Sequence, residues 1–506
     1  MIKFIDDRLD RITMYRLTLY FLIGLLGAAV VFAGLGILHA DPFAILFTTG
    51  FLVGACVLVN WVFAKIYGVP TNVESAYITA LILALIISPL QSYQDLWFLG
   101  WAAVWAMASK YIFALNRKHL FNPAAFAVAL TYFTINQSAS WWIGSAPMLP
   151  LVALGGTLIV RKTRRADLVL AFLLTAVWSV AGYSLATGQS LGSALSRLVV
   201  DSPLVFFASV ILTEPLTMPG TQRQRLVYGA LVGFLFTPLV HIGSFYTTPE
   251  LAILAGNLYA YLTGPKANLL LRLKEKVQLA PDIWDFVFVP SQKLAFAPGQ
   301  YMEWTLATRD EDSRGNRRYF TLASSPTEST VRLGVKFHPS SSTLKQSLLA
   351  MQPQDEIVAT HLAGDFVLPE DPWQKCVFIA GGIGITPFRS MIQFLLDQRQ
   401  RRKVVLFYLA KAPAEFVYRS VFDKARQVMG MKTIYTLTDP QNVPAGWTGR
   451  LGRVTPQMIA SEVPDYAACQ FYISGPSAMV ESSRQMLRQM GVRDDHIKTD
   501  FFSGLA

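Results

Sequence analysis

The chain has 506 residues, 53% of them apolar, and a mean hydropathy of +0.38, more than a wholly water-soluble protein carries, so part of it must lie in lipid. The net charge of +11 suggests nucleic acid only until its distribution is read: residues 1–266 hold 16 Lys+Arg against 10 Asp+Glu, and these bases cluster in alternate loops. Three cysteines, Cys56, Cys376 and Cys469, are too dispersed for a disulfide framework or the clustered thiolates of an iron–sulfur centre, and no metal site is expected.

Met1 to Arg16 is polar and of mixed charge, and the first apolar run continues past Leu35 without a small-residue cleavage pattern, so the N-terminus is expected to stay attached. Apolar windows long enough for a bilayer then recur to about Thr263 and stop. They predict about ten spans, at 17–38, 43–64, 75–92, 95–113, 122–136, 147–160, 167–186, 202–217, 226–243 and 249–263. Basic residues fall at Lys3 to Arg16, Lys65, Lys110 to Lys118, Arg161 to Arg165, Arg223 to Arg225 and Lys266, with Arg197 alone in the other set of loops. This positive-inside pattern predicts a multi-pass protein of the cytoplasmic (inner) membrane, with its N-terminus and everything after residue 266 in the cytoplasm. Attraction to an anionic leaflet accounts for the excess charge without nucleic acid.

The third window, ESAYITALILALIISP (Glu74 to Pro89), and the eighth, DSPLVFFASVILTEP (Asp201 to Pro215), both open on an acid beside a serine and close on a proline. They occupy corresponding places in two five-span halves. Five is odd, so the halves would be inverted repeats, an arrangement that places functional sites at the repeat interface. Polar residues within such windows are costly and usually face the bundle interior. Asn122 and Pro123 stand at the start of the fifth window, and Thr213, Glu214 and Pro215 at the cytoplasmic end of the eighth. Proline frees backbone groups, which a neighbouring amide or carboxylate either satisfies or ignores in favour of a ligand.

Together the NPAAFA, LILALIISP and FFASVILTEPLTMP segments resemble the NqrB membrane component of sodium-pumping NADH:quinone reductases and the RnfD component of the Rnf complex, over about residues 15–264. The resemblance implies a membrane-bound flavin, often FMN esterified to a threonine in a Ser-Gly-Ala-Thr sequence. The corresponding stretch, Thr187 to Pro203, lacks that tetrapeptide. A second, non-covalent flavin, FMN or riboflavin, is therefore expected near Asn122, Thr213 and Glu214.

Beyond Gly264 the periodicity changes to short β-type runs, ANLLLRLKEKV, DIWDFVFVP, QYMEWTLA and VRLGVKFH, which predict an antiparallel β-barrel. From Lys375 strands and helices alternate, predicting an α/β parallel sheet that binds ligands at its carboxyl ends. The expected domains are 1–266 in the membrane, 267–370 as the barrel and 371–506 as the α/β domain. The strand KCVFIA runs into GGIGITP (Gly381 to Pro387) and a helix, where glycines allow a pyrophosphate to approach the backbone. Upstream, NRRYFTLASSP offers a cation at Arg318, a flat ring at Phe320 and a hydroxyl at Thr321.

With FAPGQYMEW, HPSSSTLKQSL, GDF, SGPSAMV and the terminal DFFSG, in that order, this half resembles the ferredoxin–NADP reductase superfamily over nearly all of 268–506. The resemblance implies FAD held by Arg318, Tyr319, Phe320, Thr321, Ser341, Ser342 and Thr343, with Phe501 or Phe502 stacking on it. It implies NAD(P)H held by Gly381, Gly382, Gly384, Thr386, Pro387, Gly475 and Pro476, and a catalytic role for Thr321 and Ser474. Ser474 stands where many members carry cysteine. Lys411 and Arg419 suit the 2′-phosphate of NADPH and Glu415 the 2′-hydroxyl of NADH, which leaves that choice open.

The expected function is a membrane NAD(P)H oxidoreductase that passes electrons through FAD to the membrane flavin and on to quinone or an extracytoplasmic redox partner. A redox-driven ion pump and a membrane-anchored reductase of a cytoplasmic carrier are the alternatives. Haem is disfavoured because His39, His119 and His241 are single and lie at span ends.

Overall fold

The computed structural model describes residues 9, 12–68, 73–115, 118–237, 239–243, 245–264, 269–306, 317–339 and 341–500. The chain divides into two compact units, with the boundary between residues 266 and 267.

The first unit is helical: α1 (Met14–Gly34), α2 (Pro42–Tyr67), α3 (Val73–Ile86), α4 (Asp95–Ile112), α5 (Pro123–Ile135), α6 (Leu149–Thr163), α7 (Ala166–Thr187), α8 (Leu191–Val200), α9 (Leu204–Ile211, mostly π-helical), α10 (Gln222–Phe236) and α11 (Pro249–Thr263). Capping explains the sharp ends of α2. The Asp41 carboxylate accepts from the Phe43 and Ala44 amides, Pro42 fills the first turn, and Gly68 closes the helix in the left-handed region.

Among the described residues, α1, α2 and α7 are long and apolar enough to cross a membrane, and α8 with α9, bent by 57°, would make a fourth crossing. Ten windows therefore do not translate into ten full-length helices. α3, α5, α6, α10 and α11 have 13 to 15 residues. At 1.5 Å per residue they reach about 20 Å, short of the roughly 30 Å hydrocarbon core. Hydropathy counts apolar residues whether or not they are helical, and prolines such as Pro89 end the helix inside the apolar run.

Burial sorts these helices. α1, α2 and α7 leave Ile23, Val31, Leu46, Leu58, Leu170 and Trp178 exposed, as a surface facing lipid would. By contrast every residue from Thr79 to Ile87 in and just after α3, and from Phe206 to Thr213 in α9 and just after it, is buried. The two segments with matching acid-to-proline patterns are thus both central. Loops satisfy the last carbonyls of α3: Ile86 accepts from the Ser140 and Trp141 amides, each at 2.9 Å, and Trp142 Nε1 donates to Ala84 and Ile87.

Helix α10 lies against α7 through Gly229 and Gly233. The Arg225 guanidinium also donates to Asp167 Oδ2 through Nε at 3.0 Å and Nη2 at 2.8 Å. A β-carbon on Gly233 would stand 2.4 Å from the Phe172 carbonyl oxygen, and a backbone atom cannot move aside cheaply. Gly233→Ala is therefore expected to destabilise the unit by about 1–3 kcal/mol, read as a lower unfolding temperature of the detergent-solubilised protein.

The second unit holds two six-stranded sheets. The antiparallel sheet contains β1 (Leu269–Ala280), β2 (Ile283–Pro290), β3 (Tyr301–Thr305), β4 (Arg317–Thr321), β5 (Val331–Lys336) and β6 (Glu356–Ala363), in the order β4-β3-β6-β1-β2-β5. Just beyond β4, the Ala323 amide donates to the Arg332 carbonyl of β5 at 2.9 Å, which draws the two edges together. Helix α12 (Thr343–Ala350) joins β5 to β6. The parallel sheet contains β7 (Cys376–Gly381), β8 (Val404–Ala410), β9 (Lys432–Leu437), β10 (Arg450–Leu451), β11 (Gln470–Ser474) and β12 (Ile497–Asp500), in the order β10-β9-β8-β7-β11-β12. Helices α13 (Thr386–Asp397), α14 (Arg419–Met429), α15 (Pro456–Glu462) and α16 (Ser477–Gln489) connect them. β7 and β8 are buried at every residue, as central parallel strands must be.

Candidate functional site

Strand β4 pairs with β3 so that Trp304 faces Arg318, Met302 faces Phe320 and Tyr301 faces Thr321. Alternation separates the expected residues. Arg318 and Phe320 share the face of Trp304 and Met302, and Phe320 packs against the core of the antiparallel sheet. Tyr319 and Thr321 share the other face, where the Tyr319 ring meets Tyr301 edge-on at 5.6 Å. Ser341, Ser342 and Thr343 form the entry to α12. The Ser341 hydroxyl accepts from the His338 amide at 2.8 Å, and Ser342 caps the helix by accepting from the Lys345 amide. Phe501 and Phe502 lie outside the described residues.

In the parallel sheet, Gly381 ends β7, residues 382–385 make a single 3-10 turn, and Thr386 and Pro387 open α13. Ser474 ends β11, followed by Gly475 and Pro476 at the entry to α16. These two loops meet backbone to backbone. A β-carbon on Gly384 would lie 2.5 Å from the Ser474 carbonyl oxygen and 2.6 Å from the Gly475 nitrogen, and one on Gly475 would lie 3.0 Å from Gly381 Cα. Gly382 adopts a φ of +54°, which favours glycine. Gly381, Gly384 and Gly475 thus pack into one close cradle at the carboxyl ends of the strands, with open space where a β-carbon of Gly382 would stand. Gly384→Ala is expected to force the loops apart and weaken nicotinamide-nucleotide binding roughly tenfold or more while flavin content stays constant; nucleotide titration of the purified protein reads both.

The residue that sequence reasoning missed is Asp500. It ends β12, directly beside Ser474 in the parallel register, and is buried. Its Oδ2 accepts from Thr321 Oγ1 at 3.3 Å and from Ser474 Oγ at 3.4 Å. One carboxyl oxygen therefore brings together the two expected catalytic hydroxyls, which stand 153 positions apart in the chain. The available signal was the acid that opens DFFSG, overshadowed by the two aromatics after it. Burial pushes the Asp500 carboxyl up to about 7, with the two hydroxyls pulling the other way.

Of the residues expected to read the ribose, Glu415 forms an ion pair with Lys336 of β5 at 2.9 Å, and the Arg419 guanidinium lies 5.0 Å from the centre of the Tyr435 ring. The choice between NADH and NADPH stays open.

In the first unit, Asn122, Thr213 and Glu214 line a single cleft of about 570 Å³, including its open mouth, together with Thr18, Ser75 and Thr79. Asn122 Oδ1 caps α5 by accepting from the Ala125 amide at 3.0 Å, and its Nδ2 donates to Glu214 Oε2 at 2.7 Å. The Asn122 amide donates to Asn257 Oδ1 at 2.8 Å, and Thr213 Oγ1 donates to the Ser209 carbonyl at 2.6 Å. Beside the cleft, Lys110 Nζ donates to both the carbonyl and the hydroxyl of Ser75 at 2.9 Å.

Residues 378–485 match the oxidoreductase NAD-binding domain. The F component of the Na(+)-translocating NADH-quinone reductase of Yersinia pestis (strain Pestoides F) is 32% identical over 163 residues, 31% of this chain and 39% of that protein. The flavohemoprotein of Bacillus cereus (strain ATCC 10987 / NRS 248) is 26% identical over 220 residues, 42% of this chain and 54% of that protein. The chain thus spans about half or less of the length of these relatives. The cytochrome P450 reductase GcoB of Amycolatopsis superposes at a TM-score of 0.42 and 24% identity, covering 46% of this chain and 69% of that one. The second unit is the module of an NAD(P)H-dependent flavin oxidoreductase, its NAD-binding domain being the part matched by family.

Because burial disfavours the Asp500 carboxylate, the folded protein keeps that proton between roughly pH 4, where an unperturbed aspartate releases it, and about pH 7. Its contribution to stability is therefore present at low pH and declines as pH rises through this window. Asp500→Asn should abolish both that slope and any inflection near pH 7 in the rate of flavin reduction. An unchanged inflection in the variant would assign the titration elsewhere.

Proposed function

We propose that the chain is a membrane NAD(P)H oxidoreductase which passes electrons from a nicotinamide through FAD to a second, non-covalent flavin in its membrane half, and on to quinone or an extracytoplasmic redox partner. The observation that carries this reading is the convergence of Thr321, Ser474 and Asp500 beside the glycine cradle. Thr321 arrives on the strand that bears the expected flavin residues, and Ser474 on the loop that bears the nicotinamide residues.

In this reading Arg318, Tyr319, Phe320 and the entry to α12 at Ser341–Thr343 hold FAD. Gly381, Gly382, Gly384, Thr386, Pro387, Gly475 and Pro476 hold the nucleotide. Gly382, at a φ of +54° with open space where its β-carbon would stand, lies just ahead of the positive end of α13, which suits a pyrophosphate. A bound flavin supplies the chemistry of taking a hydride, with both electrons of the broken C–H bond, and releasing those electrons singly. Thr321 and Ser474 orient the reacting groups, and Asp500 fixes both hydroxyls while holding a proton near neutral pH.

Residues 1–266 are read as a ten-crossing domain of two inverted halves, like the NqrB component of the sodium-pumping reductases, followed by a FAD domain at 267–370 and a nucleotide domain at 371–506 in the cytoplasm. The cleft supports a flavin there, since it brings an amide, a carboxylate and several hydroxyls to one apolar site next to the two central helices. Simple anchorage requires none of these.

The test is the flavin content of the full chain purified in detergent. Two flavins per chain are expected, both released by acid, with Asn122→Ala or Glu214→Gln reducing the ratio to one while FAD remains. A wild-type ratio of one would remove the membrane flavin and leave an anchored reductase.

A further inference from the structure

Arg389 lies in the first turn of α13, directly after the glycine cradle, and its side chain is only 7% exposed. Nη1 donates to the Ala323 carbonyl at 3.0 Å, and Nη1 and Nη2 together grip the Glu328 carboxylate, Nη2 at 2.8 Å. Glu328 also accepts from the Ser325 amide and faces Arg332, whose Nη1 donates to the buried Asp285 at 2.6 Å. Tyr418, held at a φ of +57°, closes the circle beside Asp285 and Gly334, where a β-carbon would come within 2.7 Å of its hydroxyl. One residue along α13, Ser390 Oγ donates to the Ser324 carbonyl at 2.6 Å.

Two arginines and two carboxylates make this ring neutral, and it joins the antiparallel sheet to the nucleotide-binding helix. Adhesion alone does not explain it. Burying Arg389 and Asp285, with Glu328 and Arg332 partly covered, is costly, and well-packed apolar residues would hold the same surfaces together at least as firmly. What a bidentate arginine–carboxylate pair adds is fixed geometry. Its two ends also lie close to the reacting groups along the chain. Ala323 is two residues beyond Thr321, and Arg389 is three beyond Thr386.

We propose that Arg389 and Glu328 are positioning residues that set the separation between the flavin-bearing strand and the nicotinamide loop, and with it the distance the hydride must cross. This rests on reading the second unit as an NAD(P)H:flavin reductase. The ring acts through Thr321 and the glycine cradle, and needs no contact with either cofactor.

The experiment uses the full chain in detergent and rapid mixing with whichever of NADH or NADPH reduces the wild-type flavin, in protiated and 4-deuterated forms. Arg389→Gln and Glu328→Gln are expected to slow the limiting rate of flavin reduction about tenfold or more, to change nucleotide affinity less than about threefold, to keep their FAD and to retain a primary isotope effect. Arg389→Lys, charged but unable to grip both oxygens, should fall between. Glu328→Gln preserves shape and carries the test alone if Arg389→Gln does not yield flavin-loaded protein. Rates equal to wild type in flavin-loaded variants would overturn the proposal, as would a loss of affinity that matches the loss of rate. A wild-type flavin that neither nucleotide reduces is a different outcome: it overturns the reductase reading itself.

Discussion

A carboxyl group buried without a cation is the constraint on which the second unit turns. Asp500 is buried at the end of its strand, and among the described residues its side-chain hydrogen bonds come from Thr321 and Ser474. An unsatisfied buried carboxyl costs far more than either of these bonds gains, so its neighbours have little freedom. β12 must lie beside β11, and the end of β4 must reach across from the other sheet. The rest follows from that closure. Gly384 and Gly475 have no side chain because their loops are pressed together beside Ser474, and the charged ring around Arg389 lies at the same interface.

The first unit obeys the same rule in a different solvent. Its two most enclosed helical segments, α3 and α9, are short, and a short helix inside an apolar body exposes backbone carbonyls that lipid cannot satisfy. The loop from Ser140 to Ile143 answers for α3, donating backbone and indole N–H groups to four successive carbonyls. At α9 the π-helical stretch leaves its own bonds irregular, and Ser209 and Thr213 fold back onto carbonyls one turn earlier. Polar side chains near Pro123 and Pro215 thus serve structure first. The Asn122 side chain does two things, its Oδ1 capping α5 while its Nδ2 holds Glu214 at the cleft.

Much of this was legible in the chain, and the boundary of legibility is physical. The glycine turn between β7 and α13 could be read because its requirement is local: a strand end, small residues and a helix start, all within 381–387. The alternating strands and helices after Lys375 were readable for the same reason. Asp500 could not be found that way, because its role comes from pairing with Ser474 across a sheet and with Thr321 across an interface. The Arg389 ring is likewise assembled from β2, β5, the segment after β4 and two helices, and no local pattern distinguishes its arginines from surface ones. Hydropathy found the apolar windows but not which residues within them are helical, so ten windows gave three helices of full crossing length among the described residues. It did single out the third and eighth windows, whose shared pattern of acid, serine and proline marks the two segments that burial makes central.

Charge is handled differently at the carboxyl and at the ring. Burial and two hydroxyls set the proton affinity of Asp500, with no cation contributing. The arginines of the ring are instead matched to carboxylates of their own, Arg389 by Glu328 and Arg332 by Asp285. A hydride donor gains positive charge as it reacts, and a nearby carboxyl favours that change only once ionised. Burial alone thus raises Asp500 to about 7, where it changes charge near neutral pH.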